Sequence, residues 1–390
     1  MSAMKVRLGS ERLLAGGTLK NKRVGIVSNP ASVDAGFQHV VQAIANAPDV
    51  TLAAIFGPQH GYRADVQDNM IETGHASDPT RGVPVYSLYS ETREPTAEML
   101  RGLDVLVIDL QDVGSRIYTF VYTMANCLRA CRKHGVPAIV TDRPNPIGGD
   151  RIDGPMLMEG FESFVGQFPV PLRHGMTIGE LARFFNEACG IGAELTVVRM
   201  ENWQRGMHYE DTGLPWVMPS PNMPTVDAAV VFPGAVLFEG TNISEGRGTT
   251  RPFELIGAPW VDAEALADTL ATYRLPGVHF RAVVFEPTFQ KHARQACGGC
   301  QIHVLDRDDF PTVKAAVAVL VEIRAQSPDK FQWREPPYEY ELTKLPFDIL
   351  AGSSMLRTQI ESAVPLETIA NSWVESHERF RATRKPFLLY

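Results

Sequence analysis

The sequence predicts an α/β protein: a Rossmann-like parallel sheet domain followed by a second, smaller α+β C-terminal domain. Three observations carry this expectation. Four short apolar runs in the first half, KRVGIVSNP, TLAAIFGPQHG, LDVLVIDLQDVG and VPAIVTDRPNP, alternate with amphipathic stretches, the βαβ order of a parallel sheet. Each run is nearly all apolar, as a strand covered by helices on both faces must be. After Trp260 the texture changes to helices interleaved with alternating strands, which places a division near residues 258–262 and gives domains of 1–260 and 261–390.

The elements follow in order. Helical segments are expected at Phe37 to Ala47, Thr96 to Leu100 and Ile117 to His134, between the apolar runs. Thr177 with Glu180 three residues later is a capping-box signature opening a helix to Cys189. LTVVRM then reads as a strand, PSPNMPT as turns and AAVVFPGAVLF as strand-like. Beyond Trp260 come a helix from Asp262 to Tyr273, strands HFRAVVFEPTF and CQIHVL, a helix from Thr312 to Ala325, a strap FQWREPPYEY packed between domains, and a closing helix from Pro365 to Phe380.

Composition narrows the function. With 390 residues, 44% of them hydrophobic, a large core can form, and the formal charge of −8 argues against nucleic acid or an anionic membrane surface as partner. Small-molecule or neutral polymer substrates fit better. No apolar run approaches the ~20 residues of a membrane span and the start has no signal-type apolar core, so the chain as given reads as cytoplasmic. Five unevenly spaced cysteines suit a reducing compartment. The Cys297-Gly-Gly-Cys300 pair has no second pair to complete a zinc site. Absent glycine-rich phosphate loops and a Gly-x-Ser-x-Gly elbow leave nucleotide binding and serine hydrolysis unsupported. No close His-x-x-x-His spacing offers a metal site, so no cofactor is expected.

What remains is carboxylate chemistry. Each predicted strand of the first half ends in a polar cluster, containing Asn29, then Gln59 and His60, then Asp109 and Asp112, then Asp142 and Asn145, and in open parallel sheets such ends converge on one crevice. Asp109 has a structural reading too, as a buried carboxylate capping the next turn. The segment from Phe232 to Trp260 brings Glu239, Asn242, Glu245, Arg247, Arg251 and Glu254 into a Gly/Thr-rich stretch with little periodicity, read as a surface loop that either carries a site or is merely salt-bridged. Asp65, Asp109, Asp112, Asp142, Glu239 and Glu245 are the candidate acids for glycosidic hydrolysis. Arg63, Arg116, Arg247 and Arg251 are the cations that would clamp a substrate carboxylate or depress a neighbour's pKa.

Seven segments, GPQHGYRADVQDNM, VLVIDLQDVGSRIYTFVYTM, DRPNP, HGMTIGELARFFN, PSPNMPT, FPGAVLFEGTNISEGRGTTRPFELIGAPW and FEPTFQKHARQACGG, together resemble the DUF1343 family, whose characterised members are NamZ-type exo-β-N-acetylmuramidases of peptidoglycan turnover. The resemblance runs from about Val6 to the C-terminus. It implies a Rossmann-like domain with a smaller C-terminal one, a cleft between them, and release of N-acetylmuramic acid without nucleotide or metal. The lactyl carboxylate of that sugar calls for an arginine, with Arg63, Arg247 and Arg251 the candidates. One departure matters: many members carry Glu where Gln59 stands, and an amide cannot deliver a proton. The resemblance therefore implies a substitute acid such as Asp65, Asp112 or Glu245, or a substrate-assisted route in which Gln59 or Asn242 orients the sugar's acetamido group, or a different amino-sugar substrate, or a binding role without catalysis.

Overall fold

The computed structural model describes residues 5–64, 66, 67 and 71–390, so the candidate acid Asp65 lies outside the described residues. Twelve strands are numbered in chain order: β1 Lys22–Ser28, β2 Val50–Gly57, β3 Ala76–Ser77, β4 Pro84–Ser87, β5 Val105–Asp109, β6 Ala138–Thr141, β7 Asp153–Met156, β8 Pro171–Arg173, β9 Leu195–Val198, β10 Leu255–Ala258, β11 Val278–Phe285 and β12 Cys297–Val304. The four apolar runs are β1, β2, β5 and β6. They pair in parallel within a seven-stranded sheet of order β3-β4-β2-β1-β5-β6-β9, whose one antiparallel member is the edge strand β3. The chain winds outwards from β1 to β2 and β4 on one side and through β5, β6 and β9 on the other. Beside β1 and β5 the winding reverses, the place where open sheets bind ligands.

Both faces of the sheet are covered. Helix Phe120–His134 buries most of its length against the side that carries Leu106 and Ile108, while helix Val40–Ala45 covers Ile26, Val107 and Ile139. Burial on both faces is why the strands lack an alternating pattern. The Thr177–Glu180 box caps helix Ile178–Arg183 as expected: Thr177 Oγ accepts from the Glu180 amide at 3.3 Å, and Glu180 Oε2 accepts from the Thr177 amide at 3.0 Å.

The C-terminal part contains an antiparallel sheet of order β10-β12-β11, backed by helix Ala263–Thr272, against which helix Thr312–Gln326 packs in turn. β10 precedes residue 260 yet pairs with β12, Leu255 facing Gln301, so this sheet draws on chain from both sides of the division drawn in the sequence.

Four local expectations are corrected. Thr96 to Leu100 is a turn segment ahead of β5 rather than a helix. AAVVFPGAVLF is not a strand: Val226–Ala235 is an α-helix, capped by Thr225 Oγ accepting from the Ala228 amide at 3.1 Å, and Val236–Gly240 continues as a 3₁₀ turn. Every residue from Ala228 to Ala235 is buried, so no amphipathic period marks it as helical; Pro233, unsuited to a central strand, is the signal that pointed the other way. Gly234 is required there, because a Cβ would lie 2.2 Å from the Thr312 carbonyl of the helix packed against it. Phe232 to Trp260 is accordingly not a surface loop; most of it is buried. The closing helix is in fact two, Leu366–Asn371 and Val374–Arg384.

At the carboxyl edge of β5, Asp109 is fully buried and ion-paired with Arg143, whose Nη2 also donates to the Val33 carbonyl at 2.9 Å. Removing one partner strands the other charge in the interior. Asp109→Ala should therefore cost about 3–5 kcal/mol of folding free energy, read from urea unfolding midpoints, whereas Arg63→Ala on the exposed rim should leave the midpoint within about 0.5 kcal/mol.

Candidate active site

Beyond the carboxyl ends of β2 and β5 a cavity opens, and its walls include Gln59, His60, Tyr118, Thr119, Asn222, Glu239, Arg247, Tyr338 and Glu339. Gln59 and His60 leave β2 in a tight turn, His60 at φ 71° with Nδ1 on the Val66 carbonyl at 2.8 Å. Tyr118 and Thr119 precede helix Phe120–His134, and Glu239 sits in the 3₁₀ turn after helix Val226–Ala235. Tyr338 and Glu339 come from the strap before the C-terminal helices. The cavity measures about 50 Å³, room for one or two waters.

Two hydrogen-bonded groups meet in it. In the first, Thr119 Oγ donates to Gln59 Oε1 at 2.8 Å, Gln59 Nε2 donates to Glu339 Oε1 at 3.2 Å, and Tyr89 OH donates to Glu339 Oε2 at 2.8 Å. Burial pushes the Glu339 carboxyl above its usual range; the bonds from Tyr89 and Gln59 pull it down, and the charge of Glu239 adds to the rise. In the second, Arg247 Nη2 donates to Glu239 Oε1 at 2.6 Å and Tyr338 OH donates to Glu239 Oε2 at 2.8 Å. Arg247 Nε lies 3.3 Å from Glu245 Oε1, and Lys291 Nζ reaches Glu245 Oε2 at 2.8 Å. Burial alone would raise the Glu245 carboxyl, but Lys291 and Arg247 hold it below its ordinary value. Gly248 shapes this turn at φ 81°; a Cβ would meet the Phe289 carbonyl at 2.5 Å.

Of the residues singled out in the sequence, the structure brings Gln59, His60, Glu239 and Arg247 into the cavity wall. Glu245 stands behind Arg247. Asp112 is buried, accepting from the Gly114 amide at 2.8 Å with His174 Nε2 3.3 Å away. Arg63 is exposed and lines a neighbouring pocket with Tyr62, and Arg251 lies by Glu254 at 3.3 Å.

The other candidates are engaged by the protein itself. Asn29 donates to the Pro219 carbonyl at 3.2 Å, and Asn145 spans the Met176 carbonyl and the Ile147 amide. Arg116, wholly buried, donates to the carbonyls of Pro155, Val170 and Leu350; burial lowers its pKa to about 10. Asp142 takes hydrogen bonds from Thr177, Gly179 and Tyr390, and burial, with Glu180 nearby, raises it to about 7. Asn242 clamps the chain at Lys330 and Gln332. These groups build the fold around the cavity. The residues that sequence reading missed are Glu339, Tyr338, Tyr89 and Lys291. A carboxylate between two tyrosines after Pro-Pro was a visible signal, but its partner Gln59 is 280 positions away.

Among the described residues no group of three or more His, Cys, Asp or Glu is placed to hold a metal ion, and no helix is long and apolar enough to cross a membrane. The buried, hydrogen-bonded Cys297 and its neighbour Cys300 belong to β12.

An α/β crevice with two buried carboxylates, one raised and one ion-paired, defines a class of acid–base hydrolase. The models for the N- and C-terminal domains of the exo-β-N-acetylmuramidase NamZ match residues 24–227 and 230–390, and the chain belongs to this family. It is 48% identical over 388 residues to the peptidoglycan β-N-acetylmuramidase NamZ of Bacillus subtilis (strain 168), covering 99% of this chain and 92% of that protein. Two crystal structures of DUF1343 family proteins from Bacteroides fragilis NCTC 9343 are similar over 99% of each chain, at 35% identity with a TM-score of 0.89 and at 28% with 0.76.

The depressed Glu245 carboxyl carries a pH signature. Its stabilising contribution is complete above its ordinary value of roughly 4.3 and is lost as pH falls through the lower folded value. The stability gap between the protein and Glu245→Gln should therefore be wide at neutral pH and shrink in acid, in denaturant titrations across that window.

Proposed function

We propose that this protein is an exo-acting β-N-acetylmuramidase that releases N-acetylmuramic acid from the non-reducing end of peptidoglycan fragments, with Glu339 as proton donor. Family membership and the Bacillus subtilis relative support the reaction. The observation that supports the residue is the raised, buried Glu339 carboxyl held over the cavity by Gln59 and Tyr89. Gln59, an amide, has no proton to give; it orients the carboxyl that does.

The steps follow from these groups. The Glu339 proton passes to the glycosidic oxygen as the bond from that oxygen to C1 breaks, and the leaving sugar departs with a free hydroxyl. Positive charge gathers on the ring, and Glu239, fixed by Arg247 and Tyr338, is the negative group placed to stabilise it. Water adds at C1 and its released proton returns to the carboxyl through solvent. Arg63, exposed on the segment that continues from His60, is the cation suited to the lactyl carboxylate. A pyranose needs more than the present cavity. Its binding therefore requires the walls, Asn222 among them, to shift.

Aglycone release from a chromogenic β-N-acetylmuramide, but not from its N-acetylglucosamine counterpart, is the expected result; silence on both refutes the reading. Glu339→Gln should lower turnover of a natural disaccharide about 10²–10⁴-fold and turnover of a nitrophenyl glycoside much less, because a good leaving group needs little protonation. Near-normal disaccharide cleavage would remove Glu339 from this role. Activity should fall as pH rises through the elevated Glu339 value. Gln59→Glu, by adding a like charge beside it, should move that alkaline limb upward in kcat/KM profiles.

A further inference from the structure

Glu339 lines two spaces. On one side is the cavity already described; on the other is an open pocket of about 440 Å³ walled by Arg93, Asn126, Phe164, Gln167 and Tyr340. The partition between them is made by two chain segments whose neighbouring residues face opposite ways: Val165 and Tyr338 line the inner cavity, Phe164 and Tyr340 the outer pocket, and Glu339 contributes to both. We propose that the outer pocket is the leaving-group subsite, and that it takes the neutral amino sugar, N-acetylglucosamine, to which the muramyl unit is joined. This inference rests on the function proposed above.

The placement follows from what a proton donor must do. A general acid has to touch the oxygen shared by the two sugars, so the sugar being released sits on the other side of that acid from the sugar being held. Only a pocket sharing Glu339 with the cavity satisfies this. Its chemistry suits a pyranose. The Tyr340 ring is half exposed and meets Phe164 edge-on at 6.4 Å, giving an aromatic corner for the C–H face of the ring. Arg93 sits 3.9 Å over Tyr340 and also pairs with Glu72, which fixes the corner. Asn126 and Gln167 both accept from Arg129, so their amides are held in place for hydroxyl and acetamido groups. A volume of 440 Å³ accommodates one sugar with solvent. The outer pocket opens to water, as an exo enzyme requires, since the polymer must extend out from the leaving side.

The test compares two substrates of one glycone: N-acetylmuramyl-β-1,4-N-acetylglucosamine, and methyl β-N-acetylmuramide, whose aglycone cannot reach the pocket. Tyr340→Ala and Phe164→Ala should each lower kcat/KM on the disaccharide by roughly ten-fold and on the methyl glycoside by less than about two-fold, while Tyr340→Phe keeps most activity on both. Equal losses on the two substrates, or no loss on the disaccharide, overturn the subsite, because a mere disturbance of Glu339 affects both alike. If the unaltered protein cleaves neither substrate, the proposed function itself fails.

Discussion

Around the cavity the structure depends on one buried chain of charges, Glu239, Arg247, Glu245 and Lys291. Two acids and two bases cancel, and each is held by at least one partner within 3.3 Å. Burying such groups singly is prohibitive, and burying them as a set is tolerable only if none is missing. The set is gathered from three places: the turn after helix Val226–Ala235, the loop before β10, and the connection between β11 and β12, where Lys291 also donates to the Phe238 and Ile243 carbonyls. Tyr338 fastens the C-terminal strap to the same cluster through Glu239. The position of the adjoining Glu339 is thereby set by electrostatics assembled elsewhere.

Glu339 and Glu239 illustrate how one interior separates two carboxyls. Glu239 has the Arg247 guanidinium against it, whereas Glu339 takes hydrogen bonds from the neutral Gln59 amide and Tyr89 hydroxyl and is raised by burial and by the charge of Glu239. Such a division is what acid–base work requires. A glutamine at position 59 fits this arrangement, since it donates a hydrogen bond without competing for the proton.

The polar clusters at the strand ends do a different job from the one their position suggests. Asp109 with Arg143, Asp142 with Thr177 and Tyr390, and Asp112 beside His174 all lie within the protein, where they tie crossovers and the C-terminus to the sheet edge. Of the strand-end residues only Gln59 and His60 reach the cavity wall. Strand-end position indicates where a crevice forms; it does not tell which polar residues face into it, because those facing inward are needed to satisfy backbone and charge.

The sequence by itself determined the parallel sheet, through wholly apolar strands alternating with helices, and the capped helix at Thr177, through a pattern only three residues long. These are local properties, set by periodicity and by hydrogen bonds between near neighbours. It also carried the family resemblance, in long motifs read without any fold. It did not reveal that AAVVFPGAVLF is helical, since a segment buried on all sides has no amphipathic period. Nor did it single out Glu339, whose meaning comes from Gln59 and Tyr89, 280 and 250 residues away. Only the tertiary structure decided which carboxyl is raised and which is paired, because burial and the nearest charge fix a pKa, and both depend on chain segments that meet only when the fold closes.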